Sequence, residues 1–258
     1  EGTFVDATSI SRLEPPRHTL GCSVADIDND SYLDLVVVNY ADDIPGIYLN
    51  GKQSTYLFNN INSDGGLRFG GNGTCAHLWD INNDGFIDIL YGANGELYRN
   101  NGDSTFSLFS VTSTPFGRVS AYGVYLNDDL LPDLLYTYVG WFFRNCGDWS
   151  FVDVTDEYVP DGLAPSQGAS WGDYDNDGDL DLFTIHGFGS AHLYKRGPSG
   201  FTDISERLGP RRSAYSHGTA FDDLDNDGDL DIVVNNNFDR GDDYLYPFIY
   251  INNGDGTF

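Results

Sequence analysis

Acidic and amide side chains fall at alternate positions of a nine-residue phrase that recurs along the chain. The four full copies are Asp26-Ile-Asp-Asn-Asp-Ser-Tyr-Leu-Asp34, Asp80-Ile-Asn-Asn-Asp-Gly-Phe-Ile-Asp88, Asp173-Tyr-Asp-Asn-Asp-Gly-Asp-Leu-Asp181 and Asp223-Leu-Asp-Asn-Asp-Gly-Asp-Leu-Asp231. Positions 1, 3 and 5 present side-chain oxygens, position 7 can offer a backbone carbonyl, and position 9 adds another carboxylate. A tight loop with that spacing converges hard oxygens on one point, as calcium requires with its six to eight oxygen ligands at about 2.3–2.6 Å. The expected ligands are Asp26, Asp28, Asp30 and Asp34; Asp80, Asn82, Asp84 and Asp88; Asp173, Asp175, Asp177 and Asp181; and Asp223, Asp225, Asp227 and Asp231. Position 6 must turn sharply, which suits Gly85, Gly178 and Gly228 and suits Ser31 less well.

Ordinary Asp-Gly hairpin turns would also favour Asp and Asn. They do not explain why 20 of the 40 acidic residues lie in the five phrases, where unneutralised carboxylates repel one another. An EF-hand is excluded, because the twelfth residues Val37, Tyr91, Thr184 and Val234 carry no carboxylate and the flanks read as strands. The fifth copy, Tyr125 to Asp133, has lost its position-1 acid and its glycine and contains Pro132, so about four Ca2+ sites are expected.

These loops need positioning elements, and the elements repeat with them. Phrase starts lie 54, 45, 48 and 50 residues apart. Each phrase follows a small-residue strand such as Gly168–Gly172 and leads into an apolar one such as Leu180–Ile185. A short aromatic strand comes next, for example Glu96–Asn100, and most units add an alternating segment such as Ser150–Thr155 or Gly200–Ser205. Four strands at a period near fifty, with Gly/Asn/Asp turns and no helical periodicity, predict an all-β propeller of four-stranded blades. The five units run approximately 18–70, 71–118, 119–165, 166–214 and 215–258 in a single domain, with 1–12 as an outer strand. Because Gly2-Thr-Phe4 and Gly256-Thr-Phe258 duplicate one element, the sequence reads equally as a closed five-blade ring or as part of a larger propeller, for instance a seven-bladed one.

A formal charge of −27 repels phosphate backbones, which argues against nucleic acid. The longest apolar runs are far shorter than the roughly eighteen residues of a membrane helix. Three cysteines, Cys22, Cys75 and Cys146, allow at most one intramolecular disulfide. Asn72-Gly73-Thr74 is a glycosylation sequon for a secreted chain. Ser170 sits in a G-x-S-x-G string, but that string leads from a strand into an Asp loop rather than a helix. The five histidines show no zinc spacing, so the chain is not read as an enzyme.

The phrase Asp-x-Asp-x-Asp-Gly-x-x-Asp, its preceding Gly-Ala-Ser-Trp-Gly172 or Gly-Thr-Ala-Phe-Asp222, and the closing Asn-Asn-Gly-Asp-Gly-Thr-Phe258 resemble the FG-GAP/VCBS repeat family. That family includes the calcium-bearing heads of integrin α-subunits, bacterial extracellular proteins and fungal propeller lectins. The resemblance implies an extracellular or cell-surface propeller for recognition or cell adhesion, with the calcium ligands placed as above. The loops opposite the acidic hairpins would then face the partner, and they and their edges carry Arg211, Arg212, Tyr215, His217, Tyr244 and Tyr246, a mix suited to sugars. Arg240-Gly241-Asp242 in the same region spells an integrin-binding tripeptide. The favoured reading is a lectin-like module for glycans or a glycoprotein. A structural subunit of an extracellular filament or matrix and a polysaccharide-active enzyme are the alternatives.

Overall fold

The computed structural model describes residues 3–13, 19–39, 46–52, 57–62, 67, 76–91, 96–110, 121–127, 129–159, 161–185, 191–209, 218–235 and 247–258. The first sheet runs β1 (Thr19–Ala25), β2 (Asp34–Asn39), β3 (Gly46–Asn50) and β4 (Phe58–Asn60). The second runs β5 (Ala76–Trp79), β6 (Asp88–Tyr91), β7 (Glu96–Asn100) and β8 (Phe106–Ser110). The third contains β9 (Ala121–Val124), β10 (Asp133–Tyr136), β11 (Trp141–Asn145) and β12 (Phe151–Asp153). The fourth contains β13 (Gly168–Gly172), β14 (Asp181–Ile185), β15 (Ala191–Gly197) and β16 (Gly200–Asp203). The fifth has three strands among the described residues, β17 (Gly218–Asp222), β18 (Asp231–Asn235) and β19 (Phe248–Tyr250). Neighbours in sequence are neighbours in each sheet, and these five sheets are the blades of an all-β propeller.

The chain forms two compact units, Glu1–Leu134 with Arg144–Val152, and Leu135–Phe143 with Asp153–Phe258. In the first, Val36, Val38 and Ile47 of one blade bury against Ala76, Ile89, Tyr91 and Tyr98 of the next, with Ile27 and Phe106 closing the layer. In the second, Phe183, Ile185 and Leu193 bury against Ile232, Val234 and Tyr250, with Tyr174 and Phe258 packed alongside. The second strand of each blade must therefore be apolar on both faces, and β6, β10 and β14 are buried at every position. Where inner strands approach, a side chain is excluded: a Cβ on Gly123 would lie 1.3 Å from the Trp79 ring.

Two local expectations are corrected. The segments 150–155 and 200–205 do not continue as strand to their ends; β12 stops at Asp153 and β16 at Asp203, followed by helical turns at Thr155–Tyr158 and Ser205–Leu208. The cause is an Asx turn, in which Asp153 Oδ1 accepts from Thr155 N and Asp203 Oδ1 from Ser205 N, each at 2.9 Å. The N-terminal stretch read as an outer strand behaves alike: Thr8 N donates to Asp6 Oδ1, a 3-10 turn spans Thr8–Ile10, and residues 3–13 belong to no sheet among the described residues.

Candidate metal-binding loops

Each acidic phrase is the hairpin between the first and second strands of a blade. The position-1 carboxylate shapes it from within. Asp26 accepts from Asp30 N and Ser31 N, Asp80 from Asp84 N and Gly85 N, Asp173 from Asp177 N and Gly178 N, and Asp223 from Asp227 N and Gly228 N, all at 2.8–3.1 Å. Position 5 spends one oxygen on the N–H two residues on, as in Asp177 Oδ1 with Asp179 N and Asp227 Oδ1 with Asp229 N, both 3.0 Å. Position 6 has φ of +87°, +94° and +97° at Gly85, Gly178 and Gly228, and Ser31 accepts +72° in the first loop.

The resulting clusters are Asp26, Asp28 and Asp34; Asp173, Asp175 and Asp181; and Asp223, Asp225 and Asp227. In each, three carboxylate oxygens lie within 4.8 Å of one another and could hold a metal ion. Asp28 Oδ1 and Asp175 Oδ1 are buried and accept no hydrogen bond, the arrangement expected of an oxygen reserved for a cation. The donors are all hard oxygens, so the residues present fit a divalent ion such as calcium. The second loop does not gather three acids in this way among the described residues. Its position 3 is Asn82, whose Nδ2 donates to Asp84 Oδ2 at 2.8 Å.

Position 9 has a second role that the spacing did not reveal. Asp34, Asp88, Asp133, Asp181 and Asp231 are at most 1% exposed. In every blade one oxygen accepts the N–H of phrase position 2 (Ile27, Ile81, Leu126, Tyr174, Leu224) at 2.7–3.3 Å. The other accepts an N–H at the end of the third strand or just past it (Asn50, Asn100, Asn145, Arg196, Asn252) at 2.7–2.8 Å. In the metal-free chain this carboxylate staples the hairpin to the third strand. Burial outweighs these N–H bonds and pushes Asp88 and Asp181 up from 3.8 to about 7.

A pH dependence follows for the metal-free protein. Between about pH 4 and 7 the folded chain holds protons on Asp88 and Asp181 that the unfolded chain has released, so stability falls as pH rises through that window. In excess chelator the thermal midpoint is expected to be several degrees higher at pH 5 than at pH 8. A midpoint that climbs from pH 5 to pH 8 in chelator would contradict it.

The position-4 asparagine has a structural role that sequence reasoning passed over, although it recurs in all four full phrases. Asn29, Asn83, Asn176 and Asn226 hold φ of +55° to +62°, a conformation asparagine tolerates better than most residues. The first three also reach the next loop: Asn29 Nδ2 donates to Gly85 O at 2.9 Å, Asn83 Nδ2 to Leu130 O at 3.2 Å, and Asn176 Nδ2 to Asp229 Oδ1 at 3.0 Å. A parallel set of links runs beneath, with Asn100, Asn145 and Asn252 donating to Ile27 O, Ile81 O and Tyr174 O of the preceding blade at 2.8–2.9 Å. Adjacent loops within each unit are thus mechanically joined.

In the decayed third loop Leu130 occupies the position-6 turn with φ +64° and is 75% exposed. Leu130→Gly removes the left-handed strain without losing packing. It is expected to stabilise the protein by about 1 kcal/mol, raising the thermal midpoint by about 2–4 °C. No increase in the melt would show that the turn is relaxed.

Arg211, Arg212, Tyr215, His217, Tyr244 and Tyr246 lie outside the described residues, as do Asn72, Cys75 and Arg240 to Asp242. Cys22 and Cys146 are exposed free thiols. Ser170 Oγ meets the Thr219 hydroxyl at 3.4 Å, a contact that supplies no general base. No helix among the described residues is long and apolar enough to cross a membrane.

An FG-GAP-like repeat matches residues 173–234, which span the fourth and fifth acidic loops. Together with five blades that each place a hairpin at the same point, that match supports an FG-GAP/VCBS repeat propeller. Among solved structures, this propeller is similar to a lectin of Agrocybe aegerita described as specifically recognising non-reducing terminal N-acetylglucosamine. The TM-score is 0.51 at 20% identity, over 83% of this chain and 60% of that one, so the chain spans 60% of the lectin's length. No curated protein matches the sequence.

Proposed function

We propose that the chain is an extracellular, calcium-binding recognition module for glycans or glycoproteins, of the kind used in adhesion, and that terminal N-acetylglucosamine is the first sugar to test. The observation that carries this reading is the likeness of its fold, over 83% of the chain, to a lectin described as recognising that sugar. Calcium would be held by the expected ligands from Asp26 to Asp34, Asp80 to Asp88, Asp173 to Asp181 and Asp223 to Asp231, with the clustered aspartates in support. Four ions would bring the formal charge from −27 to about −19, relieving the repulsion that the sequence concentrates in these hairpins. Their role in this reading is to hold the blades, while the loops bearing Arg211, Arg212, Tyr215, His217, Tyr244 and Tyr246 meet the sugar.

The test is binding of the purified chain to immobilised glycans ending in N-acetylglucosamine, in millimolar calcium and in excess chelator, with free N-acetylglucosamine as competitor. Retention in calcium that the free sugar abolishes is expected, together with loss in Tyr215→Ala or Tyr244→Ala. Absence of retention on any glycan of a broad panel in calcium would overturn the lectin reading.

A further inference from the structure

Among the described residues, ion pairs with cations of the chain itself reach three of the four full acidic loops, and they do so unequally. In the fourth blade Lys195, on β15, places its Nζ against Asp175 Oδ2 and 2.9 Å from Asp177 Oδ2. These are the position-3 and position-5 carboxylates, both among the expected calcium ligands, and Asp175 also belongs to the clustered triad. In the other blades the residue just after the corresponding aromatic is Leu49, Arg99, Arg144 and Ile251, and Tyr48, Tyr98 and Tyr250 pair with the second strand as Tyr194 does. Arg99 touches one acid, Asp84, at 3.5 Å, and in the first blade Lys52 from the following turn reaches Asp30 at 3.0 Å. In the fifth blade Ile251 is 44% exposed and offers no charge, and no ion pair reaches Asp223, Asp225 or Asp227 among the described residues.

From this asymmetry we infer that Lys195 is a tethered counter-ion of the fourth loop, which grips Asp175 and Asp177 in the metal-free protein and must be displaced for a divalent cation to enter. The inference rests on the calcium reading above. It makes the fourth loop weaker for calcium than the fifth, although the two phrases differ at position 2 alone. The physical basis is competition. A carboxylate already paired with an ammonium gains less from calcium, because the ion pair must be broken and the lysine returned to water. The same contact offsets part of the fourth loop's charge when calcium is scarce, a relief that no ion pair among the described residues gives the fifth.

Calorimetric titration of calcium chloride into metal-free protein tests this with Lys195→Ile, which installs the fifth blade's residue, and with the reciprocal Ile251→Lys. Lys195→Ile should tighten one site by about fivefold to tenfold and lower the melting temperature in chelator while leaving it unchanged or raised in calcium. Ile251→Lys should weaken one site by a similar factor. Calcium binding that is unaltered in both variants overturns the inference and leaves the calcium reading intact. An equal loss of melting temperature with and without calcium in Lys195→Ile also overturns it, since Lys195 would then be a structural ion-pair partner. No calcium binding by the unaltered protein removes the calcium reading and this inference together.

Discussion

Excess chelator is expected to lower the thermal midpoint of the protein by about 10 °C or more relative to 10 mM calcium. A site that binds only the folded state and is filled at one hundred times its dissociation constant contributes about 2.7 kcal/mol. Extracellular calcium modules bind at about 10⁻⁴ to 10⁻³ M, so 10 mM calcium approaches that filling. Two such sites add about 5 kcal/mol, and in a chain of this size each kcal/mol moves the midpoint by about 2–4 °C. Charge screening alone would act in the same direction on a chain at −27, so the comparison needs magnesium at equal ionic strength. Magnesium demands near-octahedral geometry and keeps its waters, and it should recover only a small part of the shift. Superimposable melts in calcium and in chelator would remove the metal from the account.

The blades were legible because each level of the sequence agrees with the others. Gly168–Gly172 and Gly218–Asp222 appear as strands with the bounds that their small-residue pattern suggests, and Asp181–Ile185 begins one residue inside its expected run. The position-6 turn was equally readable, since Gly85, Gly178 and Gly228 are there for a positive φ. What stayed hidden depends on contacts between distant residues. Nothing in Asp153 or Asp203 announces that its own side chain will end the strand two residues on, because the competing reading, continued alternation, fits the same letters. The links from Asn29 to Gly85 and from Asn100 to Ile27 join residues 56 and 73 positions apart. A spacing within one phrase cannot show them. Lys195 reads as an ordinary strand residue until the fold brings it 20 residues back to Asp175.

Position 9 is where a metal-ligand pattern and a structural pattern coincide, and the third blade separates them. Its phrase has Tyr125 in place of the first acid and Pro132 before the last, yet it keeps Asp133, which is fully buried. Asp133 Oδ2 accepts from Leu126 N and Oδ1 from Asn145 N, both at 2.7 Å. Asn145 in turn donates to Ile81 O at 2.8 Å and Pro132 O at 3.1 Å, so the staple also carries a link to the preceding blade. Asp133→Ala strands two buried N–H groups at about 1–3 kcal/mol each. The expected loss is about 3–5 kcal/mol, or about 10 °C in the melt, and it should be the same in calcium and in chelator. Asp225→Ala should behave in the opposite way, costing little in chelator and removing one site's share of the calcium increment. Asp133→Asn, which keeps one acceptor oxygen, should fall between Asp133→Ala and the unaltered chain. Were Asp133→Ala to lower the midpoint only in calcium, the carboxylate would be acting as a ligand, and the metal-independent staple would be wrong for the one blade where the two roles can be told apart.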